Sequence, residues 1–234
     1  MKRPALGLAG LLFAVLVDAC TPAAGARPVV VELYQSQGCS SCPPADANLT
    51  KIAGRPDVIA LSFAVTYWDG GGWKDTFAKP EFTARQWSYA HSFHRSQVFT
   101  PEVVADGRRD GVGADPADFA RLVGHPGPDA GAPSLALTEG AVAIGAAVKP
   151  ATPADVWLAR YDPRTQQVPI RAGENGGRTL PHTNIVRELI RVGAWNGAAE
   201  TLRLPAATSP GLVTVVLVQA PGGGAILTAD RDRS

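Results

Sequence analysis

Apolar and polar residues alternate or cluster in short stretches along most of the chain, and they predict a layered α/β protein. Val29 to Tyr34 (VVVELY) is β-branched and apolar with one charge, the composition of a strand. Residues 36–44 are rich in Ser, Gly, Cys and Pro and read as a loop. Ala45 to Ile52 follows with helical spacing of Leu49 and Ile52. Val58 to Tyr67 (VIALSFAVTY) is a second strand by its β-branched and aromatic content. Thr83 to Phe93 carries an aromatic stripe at helical spacing, with Trp87 expected in the core. Val98 to Val104 predicts a strand, and Asp106-Gly107 a hairpin turn after it. Asp115-Pro116 opens a helix through Leu122, with Asp115 as N-cap and Pro116 at the first position.

Beyond 123 the pattern changes. Residues 124–132 (GHPGPDAGA) read as a linker. The stretches 134–138, 141–148, 156–161, 168–171, 211–219 and 225–228 are short strand candidates between turns. Residues 185–192 combine helical spacing with β-branched content and read as strand. The fold class is therefore α/β (α+β): an α/β region over 27–123 and a β-rich C-terminal region over 133–234, packed on it as one unit.

Composition narrows the classes. The chain has 234 residues, 45% hydrophobic and 18% charged, enough for a real core and unlike a disordered chain. The 25 Gly and 20 Pro predict many turns. With 22 basic and 21 acidic residues there is no basic excess, which argues against a nucleic-acid partner. Lys2 and Arg3 precede an uncharged apolar run, Ala5 to Val17, too short to span a bilayer. With Ala24-Gly25-Ala26 as a small-residue exit, residues 1–26 read as a signal peptide and the protein as periplasmic or secreted. A lipoprotein-type exit at Cys20 has Asp18 where a small residue is wanted, so soluble export is preferred to a lipid anchor. Removing the leader leaves Cys39 and Cys42, in a compartment where disulfides persist.

Those two cysteines carry the candidate chemistry. Gly38-Cys39-Ser40-Ser41-Cys42 lies between a predicted strand and a predicted helix. Free N–H groups at a helix start favour thiolate, which lowers a cysteine pKa from ~8.5 to between ~3.5 and ~7.5 in redox motifs. Cys39 would attack a substrate disulfide and Cys42 resolve the mixed disulfide. Pro43 disfavours α geometry at Cys42, so the helix is expected to begin nearer Pro44, with its dipole further from Cys39.

The strand–CxxC–helix order, Thr100-Pro101 before a strand and the Asp106-Gly107 hairpin resemble the thioredoxin fold. The segments ELYQSQGCSSCPPAD (32–46), YWDGGGWKDTFAKPEFTARQWSYA (67–90), VFTPEVVADG (98–107) and GENGGRTLPHTNIVREL (173–189) resemble a family of exported bacterial proteins, DUF1223. The first likeness implies a thioredoxin-like unit with Pro101 as a cis-proline facing the dithiol and positioning the substrate backbone. It also implies a buried carboxylate near Glu32, seven residues before Cys39, that could take the resolving thiol's proton; an outward-facing strand residue is the other reading. The expected activity is thiol–disulfide exchange with protein thiols or disulfides and a further redox partner, with Cys39, Cys42, Pro101 and Glu32 as site residues and no organic cofactor.

Two other readings remain open. Cys39 and Cys42 could hold zinc or copper with His91 and His94, although a surface pair of histidines is the simpler account and no metal is expected. The disulfide could also be static. Trp68 or Trp73, flanking a glycine loop, could wall the site. The dense polar cluster Glu174, Asn175, Arg178, His182 and Asn184 could line a partner cleft; a loop holding the two halves together is preferred.

Overall fold

A computed structural model describes residues 27–124 and 131–232; the expected leader, Cys20 and the middle of the expected linker lie outside them. The first half runs β1 (Val29–Gln35), α1 (Pro43–Ile52), β2 (Val58–Ala64), a 3-10 turn (Thr66–Trp68), α2 (Pro80–Ser92), β3 (Glu102–Ala105), β4 (Arg109–Gly111) and α3 (Pro116–Val123). The second half contributes β5 (Leu135–Thr138), β6 (Ala141–Ile144), β7 (Ala154–Asp162), β8 (Gln166–Pro169), β9 (Thr179–His182), β10 (Ile185–Trp195), β11 (Glu200–Arg203), β12 (Val213–Gln219) and β13 (Ile226–Arg231).

Strands from both halves form one eight-stranded mixed sheet, ordered β13-β12-β7-β10-β2-β1-β3-β4. β1 and β2 are parallel, while β3 runs antiparallel to β1 and β4 to β3. The joint is short. β10 pairs in parallel with β2 at Ile185 opposite Ser62. Ser62 N–H donates to the Asn184 carbonyl at 3.0 Å, and the Asn184 amide donates to the Ala60 carbonyl at 2.9 Å. Asn184 holds φ +52° there, a left-handed conformation that Asn tolerates better than most residues. β5, β6 and β11 form a second small sheet, and β8 pairs with β9.

The period-2 rule places the layers. Val29, Val31 and Leu33 of β1 face α1 and α3, packing with Leu49, Phe119 and Val123. Val30 and Tyr34 face the other way, with Phe63, Phe82 and Tyr89 of the α2 layer. The same layer reaches Ala159, Val215 and Leu217 of the second half, so one core spans the joint. The opposite face of β7 and β12 is covered by the small sheet, through Val142, Ile144, Leu158, Val216 and Trp195.

Several expectations meet corrections. The second strand ends at Ala64 and the chain turns through Thr66–Trp68; β3 begins only at Glu102. β9 and β11 had no clear signal, β9 because its four residues include Pro181 and sit in a polar cluster. Trp87 is not core: it is 36% exposed and stands beside His91 on the outer side of α2. The buried face of α2 instead runs through Phe82, Arg85, Gln86, Tyr89 and Ala90. Two of these are polar, which hid the face from a hydrophobic count. They are buried because the sheet below presents carboxylates: Arg85 meets Glu32, and Gln86 meets Glu102 at 2.6 Å. Asp115 caps α3 as expected, accepting from the N–H groups of Ala117 (2.9 Å) and Asp118 (3.0 Å).

Candidate redox site

The CxxC turn joins the end of β1 to the start of α1. Cys39 and Cys42 are disulfide-bonded, with Cα atoms 5.5 Å apart. Cys42 is the N-cap and has α-region geometry (φ −74°, ψ −36°), so the helix begins at Pro43 rather than further along. Proline disfavours this geometry before it but does not forbid it. Two hydrogen bonds compensate, from Ala45 N–H (3.0 Å) and Asp46 N–H (3.1 Å) to the Cys42 carbonyl. Pro43 and Pro44 fill positions whose N–H groups would have no partner in the helix. The helix start therefore lies directly against the disulfide.

Both cysteines are buried, Cys39 at 0% and Cys42 at 1% exposure, while Ser40 and Ser41 between them are exposed. The Ser41 hydroxyl is 3.3 Å from Cys39 Sγ and 3.5 Å from the Thr100 carbonyl, which it reaches as donor. Thr100–Pro101 is a cis peptide and Pro101 is buried. The Trp68 indole N–H donates to the Thr100 hydroxyl at 2.8 Å, and the Trp68 Cβ lies against Gly38. Trp68 thus links the CxxC turn to the Pro101 segment. Tyr67 is partly exposed, and burial of its hydroxyl pushes its pKa up to about 12.

Behind the turn is a polar scaffold that the sequence did not reveal. Gln37 N–H donates to Asp75 Oδ2 at 2.7 Å, and Phe77 N–H to Asp75 Oδ1 at 2.8 Å. The Trp73 indole N–H donates to Gln37 Oε1 at 2.9 Å, so Trp73 braces the loop from behind. Burial raises the Asp75 carboxyl above its usual range, against the pull of those two amides. Burial, and then the charge of Asp75, push Asp46 well above its own. A third segment closes the turn from the second half. Glu174 Oε2 accepts from Ser40 N–H (3.1 Å) and the Ser40 hydroxyl (2.7 Å). The Asn175 amide donates to the Gln37 carbonyl (3.0 Å) and the Cys39 carbonyl (2.9 Å). Two members of the polar cluster therefore hold the halves together at the disulfide. His182 is elsewhere, buried beside Phe77 with neither ring nitrogen hydrogen-bonded, and burial lowers its pKa to about 4.

Glu32 is buried, but its contacts are not with the cysteines. It faces α2, as the alternation of β1 requires, and both oxygens are occupied. Arg85 donates to each at 2.8 Å, Tyr34 to Oε2 at 2.7 Å and Tyr89 to Oε1 at 2.8 Å. The outward-facing reading of Glu32 is excluded. Its hydrogen bonds give a buried ion pair, with no bond to Cys42. Glu102, next to Pro101, is raised to about 7 by burial, although Gln86 donates to it. His91 and His94 lie on and just after α2, and among the described residues no three His, Cys, Asp or Glu side chains converge as a metal site. Nor, among those residues, is any helix long and apolar enough to cross a membrane.

Fold and site together define a mixed α/β protein with a CxxC disulfide at the head of its first helix. The family described as protein of unknown function (DUF1223) matches residues 30–219. The chain belongs to that family. It is similar to the crystal structure of protein AGR_C_4864 from Agrobacterium tumefaciens, with 32% identity and a TM-score of 0.67, covering 89% of this chain and 95% of that one. It also resembles HBP35 of Porphyromonas gingivalis in fold, at 13% identity and a TM-score of 0.60, covering 88% of this chain and 75% of that one. No curated protein matches the chain.

Proposed function

We propose that this protein is an exported thiol–disulfide oxidoreductase on a thioredoxin-like unit, acting on protein thiols or disulfides in the periplasm or outside the cell. The observation that carries the reading is the Cys39–Cys42 disulfide at the start of α1, linked through Ser41 to the Thr100–Pro101 segment. The sheet order β2-β1-β3-β4 with α1, α2 and α3 around it supports the thioredoxin-like part.

In the oxidised protein a substrate thiolate attacks Cys39 Sγ. The Cys39–Cys42 bond breaks, and Cys42 leaves as a thiolate that takes up a proton. A second substrate thiolate attacks the substrate sulfur of the mixed disulfide and releases Cys39. One protein disulfide and two substrate thiols become two protein thiols and one substrate disulfide, a transfer of two electrons and two protons. The reverse sequence makes Cys39 the attacking group and Cys42 the resolving one. The helix start favours the thiolate form of Cys39 in either direction. Pro101 positions the substrate backbone. Glu32, engaged by Arg85, holds β1 against α2.

Complete burial of both cysteines favours a second reading, a static disulfide that staples the turn. Two measurements separate them. Cys42→Ser removes the resolving thiol, so a mixed disulfide on Cys39 should persist and trap covalent partners on a non-reducing gel of periplasmic extract. Equilibration with glutathione, read by alkylation and mass, should place the pair between ~−120 and ~−230 mV. No trapped partner, together with a potential below ~−300 mV, establishes the staple instead.

A further inference from the structure

The 173–178 loop belongs to the second half of the chain, yet it ends on the CxxC turn. Glu174 accepts both donors of Ser40, and Asn175 uses its amide on the carbonyls of Gln37 and Cys39. The loop is tied down by its own bonds. Arg178 donates to Asn175 Oδ1 at 2.6 Å, Gly177 N–H to the Ile170 carbonyl at 2.8 Å, and Gly173 packs on the Trp73 Cβ. Asn175 is fully buried, but Glu174 is exposed. Its hydrogen bonds from Ser40 hold the carboxyl below its usual range, so it carries a full negative charge at neutral pH.

These contacts have two consequences for an attacking thiol. Cys39 has no exposed surface, so attack along the S–S axis requires the turn to move. Moving it strains or breaks the bonds to Glu174 and Asn175. The attacking group must also approach past the Glu174 carboxylate, fixed on the residue next to Cys39. A cationic thiol is drawn to that charge and an anionic one repelled. We propose that Glu174 is a specificity-determining residue that makes the Cys39–Cys42 disulfide selective for thiols flanked by positive charge, with Asn175 as the positioning residue that keeps the turn closed beneath it. The proposal rests on the redox reading above.

For charges of opposite sign on the two thiols, at the separations of a surface site, Coulomb's law in a water-like dielectric with physiological screening gives a preference of about fivefold. The test measures second-order rate constants for reduction of the full chain by cysteamine (cationic) and by 2-mercaptoethanesulfonate (anionic), followed by alkylation and mass. Intrinsic differences between the two thiols cancel when the cysteamine-to-sulfonate ratio is compared between proteins. Glu174→Gln keeps an acceptor for Ser40 and removes only the charge. The ratio should fall about fivefold in Glu174→Gln, and the wild-type ratio should fall similarly in 1 M salt. Glu174→Ala removes the acceptor as well as the charge, so its ratio should fall as in Glu174→Gln while both of its rates exceed those of Glu174→Gln; a ratio kept at the wild-type value in Glu174→Ala also overturns the proposal. An unchanged ratio in Glu174→Gln overturns the proposal and leaves the redox reading standing. A wild-type disulfide inert to both thiols, and inert in both variants, removes the redox reading and the proposal together.

Discussion

The buried ion pair between Glu32 and Arg85 gives the sharpest test of what the first strand is for. Both side chains are almost fully enclosed, at 1% and 4% side-chain exposure. Glu32 receives four donors, two from Arg85 and one each from Tyr34 and Tyr89. Arg85 also stacks over Tyr89 and Trp157, at 5.2 and 5.4 Å from the ring centroids. Glu32→Gln keeps size and shape but turns one acceptor oxygen into a donor nitrogen. That nitrogen faces a guanidinium N–H and a tyrosine hydroxyl, and the Arg85 charge loses its partner. Breaking one side of a buried pair costs about 3–5 kcal/mol. At about 2–4 °C per kcal/mol for a chain of this length, the melting temperature should drop by roughly 6–20 °C. Arg85→Met should cost a similar amount. The double variant should cost less than the two together, because the second change removes the charge that the first left unpaired. Thermal and urea unfolding of the oxidised proteins read all three. A Glu32→Gln stability within about 1 kcal/mol of wild type refutes a stabilising role for the pair. If that variant keeps its stability but slows thiol exchange, Glu32 is the proton acceptor after all.

Two further predictions concern stability. Glu102 has its carboxyl raised to about 7 by burial. Between the unfolded value near ~4.5 and 7 the folded state binds more protons than the unfolded one, so this group makes stability fall as pH rises through that window, and no further above it. Relative to wild type, Glu102→Gln should therefore gain about 1–3 kcal/mol between pH 4.5 and pH 8 in urea unfolding, and a difference that does not change with pH refutes the assignment. Gly107 turns the β3–β4 hairpin at φ +62°, and a Cβ there would stand 2.3 Å from the Gly224 carbonyl oxygen, which is backbone. Gly107→Ala should destabilise by about 2 kcal/mol or more, and a loss under ~0.5 kcal/mol would show that the hairpin and the 222–224 loop are not tightly seated.

Local chemistry made much of the first half legible. The β-branched run Val29 to Tyr34, the Asp115-Pro116 cap and the Asp106-Gly107 turn each act through contacts within a few residues, and each holds in the structure. Cys39 and Cys42 are legible for the same reason: three positions apart, they can only close a tight turn. The density of polar residues in 173–187 also signalled a tie between the halves, though not which residues it holds. Pattern failed where a residue's environment comes from far along the chain. Arg85 and Gln86 look like a polar interruption of α2 until Glu32 and Glu102 are seen beneath them. Trp87 looks like core by type and spacing, but the buried arc of the helix runs through positions 82, 85, 86, 89 and 90 and leaves it outside.

By itself, the sequence determined the α/β class, most of the strands and the CxxC turn between strand and helix, because hydrophobic period, capping and turn chemistry are short-range physics. Only the tertiary structure decided that β10 lies beside β2 and merges both halves into one sheet, that Glu32 pairs with Arg85, and that Glu174 and Asn175 close over Cys39. These partners are 53 to 136 residues apart. Their meeting depends on how whole layers pack, and no local preference of the chain encodes it.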